Sequence, residues 1–390
     1  MMLYFHETSH YFSHSGDHPL FWGNNEDFVE GRNETSRFDF KMCEKNNRIG
    51  PLIGIIAGRN NAGLLTGNGP LFRHIQAELQ EIGGFSFVFT LDDLSPHGIH
   101  GYFHHPATDT WHEADFPYPE IIYNRLPSRK AEDSDGFHQL VKTLKEKEVP
   151  FFNPCFINKL DMYESFKNIP SIAEHLPFTA PLLEKNALFL LLEEKRNLYI
   201  KPVKQSQGKG ITLLSMDQEG KCRLVKEKDT SFFASFDSLW ESQGEKWLAV
   251  PYLMQEMIHT KKVEGKKYDL RGHVHFGKKG YTLTGIGVRL ANRQQLTTHM
   301  KRGGSLYPYQ SIRDPAVEKE IKALAKQCGK ALTDHYGFFG EFTFDIGLDE
   351  RDKIWLFELN SKPMSFDEEE IELKKRSSLV RLFHQLTRWD

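Results

Sequence analysis

Cysteine is sparse in this sequence: Cys43, Cys155, Cys222 and Cys328 stand alone among 390 residues, with no CxxC pair. That spacing excludes a disulfide framework and a thiolate zinc site, and reads as reduced thiols of a cytoplasmic protein. Long apolar runs are missing too. The longest clear one, Ala187–Leu192, is closed by Glu193 and Glu194, far short of the ~18–20 residues that span a bilayer. The opening Met1-Met2-Leu3-Tyr4-Phe5-His6-Glu7 has no basic region followed by an apolar stretch, so no secretory signal is expected. Neither sign of charge dominates: 50 Lys and Arg against 53 Asp and Glu give a net charge of -3. That balance argues against nucleic acid or an anionic membrane as the main partner. No GKS or GKT follows a glycine loop, and no Ser or Cys sits in a nucleophile elbow. Phenylalanine is what the chain has in excess, 30 residues, and a hydrophobic content of 39% suffices for a core. The length suggests two or three domains.

Residues 1–45 mix aromatic and polar side chains without helical period and read as short strands and turns. Arg48–Gly58 is an apolar, Gly-bounded run, a helix is expected near Leu71–Ile82, and Phe85–Leu91 repeats the apolar pattern; together they form a βαβ unit. Ile99–Phe103 and Trp111–Phe116 suggest a hairpin, and Glu120–Arg125 a further strand. The charged stretch Lys130–Lys147 reads as a solvated helix at a domain junction. Downstream, strands are expected at Leu198–Pro202, Gly210–Leu214, Trp247–Met254, Lys267–Phe276 and Tyr281–Leu290. Asp314-Pro315 caps a helix whose apolar stripe is Val317, Ile321, Leu324, Cys328 and Leu332. The class is mixed α/β and α+β, βαβ in its first part and strand-rich later.

Four segments carry chemistry. In Glu341–Leu348, alternation sets Glu341, Thr343 and Asp345 on one face; in Ile354–Asn360 it does the same for Glu358 and Asn360. A four-residue loop between them puts Asp345 opposite Leu356 and Glu358 diagonally across, within reach of a shared ion. Two carboxylates and an amide suit Mg²⁺ held with phosphates; a half-exposed hairpin with charges facing water is the other reading. Tyr199–Ile211 sends Lys201 out of an apolar strand into a loop containing Ser206, Gly208 and Gly210, whose N–H groups can cradle phosphate. A Gly-rich hairpin turn would look the same. Val250–Ile258, with Glu256 and Met257, can offer backbone groups to an adenine edge. Tyr268–His275 places Asp269, Arg271, His273 and His275 on one face, with Arg271 either a phosphate clamp or half of an Asp–Arg surface pair.

The chain order Lys159, Lys201 with its Gly loop, Gln255–Ile258, Asp269-Leu270-Arg271, then Asp345…Glu358-x-Asn360 resembles the ATP-grasp superfamily. Asn158-Lys159-Leu160, Arg302-Gly303-Gly304 and Glu358–Pro363 are similar to its YheC/YheD group of endospore coat-associated proteins. Pro51–Ile55 and Tyr123–Arg129 carry the likeness into the N-terminal part. The resemblance implies an ATP-grasp fold of two α+β lobes clasping ATP, behind a pre-ATP-grasp βαβ domain. The expected division is a strand-rich segment over 1–45, the pre-ATP-grasp domain over 46–147 and the ATP-grasp domain over 148–390, with its small lobe about 185–258. By the same resemblance Lys159, Lys201, Ser206, Gly208, Gly210, Glu256, Met257, Asp269 and Arg271 contact the nucleotide, Lys201 and Arg271 serve catalysis, and Asp345, Glu358 and Asn360 hold Mg²⁺ or Mn²⁺. It implies an ATP-dependent ligase joining a carboxylate to an amine or thiol through an acyl phosphate, cytoplasmic or endospore coat-associated, with spore coat proteins as partners. A non-catalytic ATP-binding coat protein and an ATP-dependent phosphotransferase are the alternatives. One departure stands out: His299 occupies the place where related ligases carry Asn before the Arg-Gly-Gly run. His6, His10, His14 and His18 recur every four residues, but Thr8, Gly16 and Asp17 argue against a helical metal stripe.

Overall fold

The structure, a computed structural model, describes residues 1–24, 27–32, 35–204, 209–227, 229–291, 296 and 303–389. In the βαβ unit, Leu52–Ile56 and Phe85–Phe89 run parallel and are joined by the helix Gly69–Glu81. Asn68 caps that helix by accepting from Leu71 N, and Pro70 sits in its first turn. Ile121–Asn124 pairs in parallel on the other side of Leu52–Ile56. The connections therefore leave the central strand in both directions, which opens a crevice at the carboxyl ends of the strands. The hairpin Gly98–His105 with Thr110–Phe116 completes a seven-stranded sheet.

The phenylalanine excess fills one core. Phe5, Phe12, Phe38 and Phe40, from strands of the first 45 residues, pack with Trp22 against Phe85, Phe103 and Phe116 of the parallel-sheet layer. Phe5 meets Phe103 edge to face at 4.9 Å, and Phe87 stacks on Phe116 at 4.2 Å. Such pairs add roughly 0.5–1.5 kcal/mol each beyond the area they bury.

Next along the chain, a six-stranded antiparallel sheet orders Thr179–Leu182, Tyr252–Glu256, Asn197–Pro202, Thr212–Met216, Cys222–Val225 and Thr230–Phe233. The helices Lys185–Lys195 and Phe236–Leu248 bury Leu188, Leu192, Leu239 and Trp247 in the core of this small lobe. Two sequence expectations are corrected here. Trp247 belongs to a helix, because Ser235 caps it by accepting from Ser238 N and only Pro251 ends the segment; the strand starts at Tyr252. Residues 130–147 form two helices, since Ser134 caps a second one, Asp135–Glu146, after the short Arg129–Glu132.

The large lobe is an antiparallel sheet in the order Gly304–Tyr307, Gly280–Ala291, Lys266–Gly277, Glu341–Leu348 and Ile354–Asn360. One face is covered by the helix Pro315–Tyr336, with Asp314 Oδ1 accepting from Ala316 N at 2.7 Å and Val317 N at 3.3 Å. Its whole predicted stripe, Val317 to Leu332, is buried against the sheet. On the other face, the C-terminal helix Glu369–Thr387 contacts two strands of the sheet and sends Leu379, Val380 and Phe383 into a core shared with Ile53, Ile75 and Leu79. It therefore ties the large lobe to the N-terminal sheet.

Gly329 shows how tight the helix–sheet contact is. A Cβ there would stand 2.3 Å from Tyr281 Cγ, and Tyr281 is anchored by donating to Phe339 O at 2.8 Å. Alanine favours a helix over glycine by about 1 kcal/mol, yet overpacking costs about 1–3 kcal/mol. Gly329→Ala is expected to lower the urea midpoint without changing the slope. A raised midpoint would mean the tyrosine ring yields freely.

Candidate active site

The paired strands Glu341–Leu348 and Ile354–Asn360 carry the site, but not in the register that simple alternation predicts. A shift between Asp345 and Ile346 sets Asp345 opposite Glu358 and Thr343 opposite Asn360, with Phe357 as the extra residue. A bulge of this kind places two residues against one and twists the ladder locally. The carboxylates are therefore directly opposed, not diagonal.

On the neighbouring strand, Arg271 lies opposite Asp345. Its Nε and Nη2 donate to Oδ1 and Oδ2, each at 2.6 Å, the fork geometry that only arginine offers. Burial works against the guanidinium charge, yet Asp345, Glu358 and Asp269 hold it above its ordinary pKa. From below, Lys159 opens the helix Lys159–Phe166, which Asn158 caps, and brings its Nζ to 3.2 Å from Glu358 Oε1. Lys201 comes from the small lobe and donates to Gln255 Oε1 at 2.5 Å. Lys159, Thr179, Lys201, Gln255, Leu356 and Phe357 line one cleft between the lobes. Burial pushes the Lys201 ammonium down to about 8; Glu358 and Asp269 oppose the shift and Lys159 adds to it.

The other predicted positions divide. Asp269 is close enough to Lys201 and Tyr199 to act on both electrostatically. Gly210 adopts φ 73° and faces Pro202, where a Cβ would meet Cγ at 2.8 Å. Ser206 and Gly208 lie outside the described residues, as do His299 and Arg302. The amides of Glu256 and Met257 are already used, donating to Phe178 O at 2.9 Å and Asn197 O at 3.2 Å. The N-terminal histidines form no helical stripe: His6 bonds Ser13 and His14 bonds Val29 O, on strands.

Sequence reasoning missed the polar junction behind the site. Lys362, two residues past Asn360, donates to Asn124 Oδ1 at 2.9 Å, to Leu126 O at 3.2 Å and to Glu132 Oε1, all of the N-terminal part. Arg125 donates to Pro363 O at 2.9 Å. Asn153 bridges Glu341 O and Ser361 O. The only signal was that both Tyr123–Arg129 and Glu358–Pro363 are motif-like; nothing local says that they touch.

The model of the YheC/D-like ATP-grasp family matches residues 148–386, the span that holds both lobes with Lys159, Lys201, Arg271, Asp345 and Glu358. The chain belongs to the YheC/D-like ATP-grasp family. It is 29% identical over 349 residues to the endospore coat-associated protein YheD of Bacillus subtilis strain 168, covering 84% of this chain and 76% of that protein. It is 23% identical over 295 residues to YheC of the same organism, covering 72% and 81%. The fold is also that of solved ligases. D-alanyl-alanine synthetase A from Vibrio cholerae superposes with a TM-score of 0.51 at 10% identity, over 87% of this chain and 99% of that one. VanG D-Ala:D-Ser ligase from Enterococcus faecalis gives 0.51 at 13% identity, over 86% and 98%. The architecture is thus the ATP-grasp fold preceded by a βαβ domain, as the motifs imply. No helix among the described residues is long and apolar enough to cross a membrane.

The lowered pKa of Lys201 gives this ATP-grasp site a testable pH dependence. The ammonium, not the amine, attracts phosphate. ATP affinity should hold steady below pH 7 and fall up to about tenfold per unit above pH 8, while Lys201→Arg should flatten the profile. Stability without nucleotide runs the other way. The folded-state pKa of about 8 lies below the ordinary 10.5, so the unfolded chain holds more protons between those values and stability rises with pH across that window. Calorimetry and melting curves from pH 6 to 10 check both signs; identical ATP profiles for wild type and Lys201→Arg would mean that Lys201 does not meet phosphate.

Proposed function

We propose that this chain is an ATP- and Mg²⁺-dependent ligase that joins a carboxylate to an amine or a thiol, working in association with the endospore coat. The observation that carries this reading is that Asp345 and Glu358 are directly opposed, with Arg271 on Asp345 and Lys159 on Glu358, beside an inter-lobe cleft that Lys159 and Lys201 line. The donor set fits a hard cation: two carboxylates on adjacent strands, with Asn360 two residues from Glu358 on the same strand face. Mn²⁺ suits the same oxygen ligands. Mg²⁺ bound there would neutralise charge on the transferred phosphoryl group.

Each side chain then has a task that its chemistry suits. Lys201 and Lys159 draw phosphate oxygens into the cleft as point charges. Arg271 already neutralises Asp345, so an arriving phosphate gives its fork an alternative partner and frees Asp345 oxygens for a cation. With Ser206, Gly208 and Gly210 as the phosphate loop and Glu256, Met257 and Asp269 beside the nucleoside, ATP is aligned for in-line transfer. The substrate carboxylate takes the γ-phosphoryl group, giving an acyl phosphate and ADP. The amine (or thiol) attacks the acyl carbon, the C–N (or C–S) bond forms, the C–O bond to phosphate breaks, and phosphate leaves while the nucleophile's proton passes to solvent. The proposed division places this chemistry in 148–390, behind 1–45 and 46–147. The test is incubation with Mg-ATP and fractionated metabolites and peptides. ADP with phosphate, and a product lighter by one water than its two precursors, supports the ligase. A phosphorylated product would mean a phosphotransferase, and ATP binding without turnover a non-catalytic coat protein.

A further inference from the structure

Three ionisable side chains of the large-lobe sheet have no part in the nucleotide or cation roles above, and none of them lines the cleft. His273 and His275 follow Arg271 along the strand Lys266–Gly277, and Glu341 lies opposite His275 on the next strand. The alternate residues Val274 and Phe342 are buried in the core under the helix Pro315–Tyr336. The three therefore look the other way, and they are 0%, 2% and 0% exposed. Their ligand atoms converge: His273 Nε2 stands 3.0 Å and His275 Nε2 3.4 Å from the same oxygen, Glu341 Oε2. All three atoms lie within 4.8 Å of one another, and no second group of this kind occurs among the described residues. His273 donates to that oxygen. His275 Nε2, aimed at the same point, has no hydrogen-bond partner among the described residues.

The groups behind these atoms fix their aim. Where Lys266–Gly277 pairs with Gly280–Ala291, a bulge makes Thr284 the extra residue, and bulges re-aim side chains. Thr284 Oγ1 sits 2.9 Å from His275 Nδ1. With the proton on Nδ1, His275 turns a bare Nε2 lone pair toward a carboxylate oxygen, a repulsive contact unless a cation lies between them. The other oxygen, Glu341 Oε1, accepts from Tyr123 of the N-terminal sheet, and Tyr123 accepts from Arg125 at 3.2 Å. A second hydrogen bond on the imidazole and one on the carboxylate are what orient metal ligands. Two of the three ligands have them here; His273 Nδ1 has no partner among the described residues. Zinc bonds of roughly 2.0–2.2 Å in a tetrahedron set ligand atoms roughly 3.3–3.5 Å apart, close to the separations around Glu341 Oε2. Imidazole nitrogen suits zinc, whereas oxygen-only donors suit Mg²⁺, so this cluster differs in chemistry from Asp345, Glu358 and Asn360. Arg125, 3.7 Å from Glu341 Oε1, and Lys375 also act on Glu341. Their charges are matched by Glu341 and by Glu372, to which Lys375 donates at 3.5 Å. We infer that His273, His275 and Glu341 hold a zinc ion that fastens the large-lobe sheet to the N-terminal sheet through Tyr123. Three protein ligands leave the fourth position of the tetrahedron to water. The site does not depend on the ligase reading.

The test is metal analysis of the full chain, purified without a metal-affinity tag and refolded with zinc or with Co²⁺. About one zinc per chain should survive dialysis against excess Mg²⁺, and the Co²⁺ form should show the visible absorption of a tetrahedral site. The double change His273→Asn with His275→Asn should hold no zinc, and Tyr123→Phe should bind it about 10–100-fold more weakly. Glu358→Gln should keep it. Stripping zinc with a chelator should lower the melting temperature of the wild type and leave that of the double variant where it was. If the double variant folds poorly, Tyr123→Phe and the Co²⁺ spectrum of the wild type carry the arm. A wild type that refolds with zinc yet retains none would overturn the site. So would iron bound in place of zinc, since three fully buried ligands leave an iron centre no approach for a substrate. Zinc retained by the folded double variant would place the ion elsewhere, on the histidines of the N-terminal part, and overturn the assignment. Zinc lost from Glu358→Gln would merge the site with the proposed Mg²⁺ ligands and overturn it as well. Zinc loss without any change in melting would defeat the fastening role. Zinc bound as expected in a chain that turns over no ATP would support the site and defeat the ligase alone.

Discussion

Glu358→Gln should abolish Mg-ATP turnover, or require far more Mg²⁺ to restore it, while leaving a folded protein. The substitution keeps the side chain's shape and deletes one of two directly opposed carboxylates. Removing groups that merely orient a ligand costs 10–100-fold in metal affinity or activity, and a ligand itself should cost more. A ligand at 100 times its dissociation constant stabilises a fold by about 2.7 kcal/mol, so the Mg-ATP shift in melting temperature should largely vanish. Without ligand, the change removes the partner of Lys159 at 3.2 Å. That pair is partly exposed, so the loss should stay within about 1 kcal/mol. An equal Mg-ATP shift in wild type and variant would defeat the metal assignment and most of the case for a ligase.

Lys362→Ala should be the most destabilising single change proposed at the junction. The Lys362 and Glu132 side chains are 5% and 7% exposed, and the ammonium also satisfies Asn124 Oδ1 and Leu126 O. Burial and the nearby Arg125 push its pKa down to about 8, although Glu132 acts to raise it. Truncating one member of a buried ion pair strands the other charge, at a cost of about 3–5 kcal/mol. Urea unfolding should show that loss for Lys362→Ala and much less for the double change Lys362→Met with Glu132→Gln, which leaves no orphan. Since Lys362 follows Asn360 by two residues, turnover should fall in both variants even where stability recovers. Additive losses in the double change would mean that the two side chains act independently.

Elements with several local signals at once were read correctly. The helix Pro315–Tyr336 follows from a cap, a proline and a stripe at helical spacing, all within 22 residues. The βαβ unit and the hairpin Asn197–Pro202 with Thr212–Met216 follow from apolar runs bounded by turn residues. Trp247 failed as a strand residue because its neighbours are apolar and aromatic in either state, and a distant serine cap decided for the helix.

The sequence by itself therefore marked the residues proposed for phosphate and cation, and the strands that carry them, because side-chain alternation and capping depend on near neighbours. Tertiary structure alone decided how those strands align. The bulge at Phe357 turned a diagonal carboxylate pair into an opposed one. Packing brought Lys159 onto Glu358, and Lys362 onto Glu132 across 230 residues. It also buried Arg289 Nε and both Glu368 carboxylate oxygens without hydrogen-bond partners among the described residues, while bringing the two charges close enough to act on each other. Contacts of that separation depend on closing long loops around shared cores, and no local pattern of residues records which distant strand will arrive.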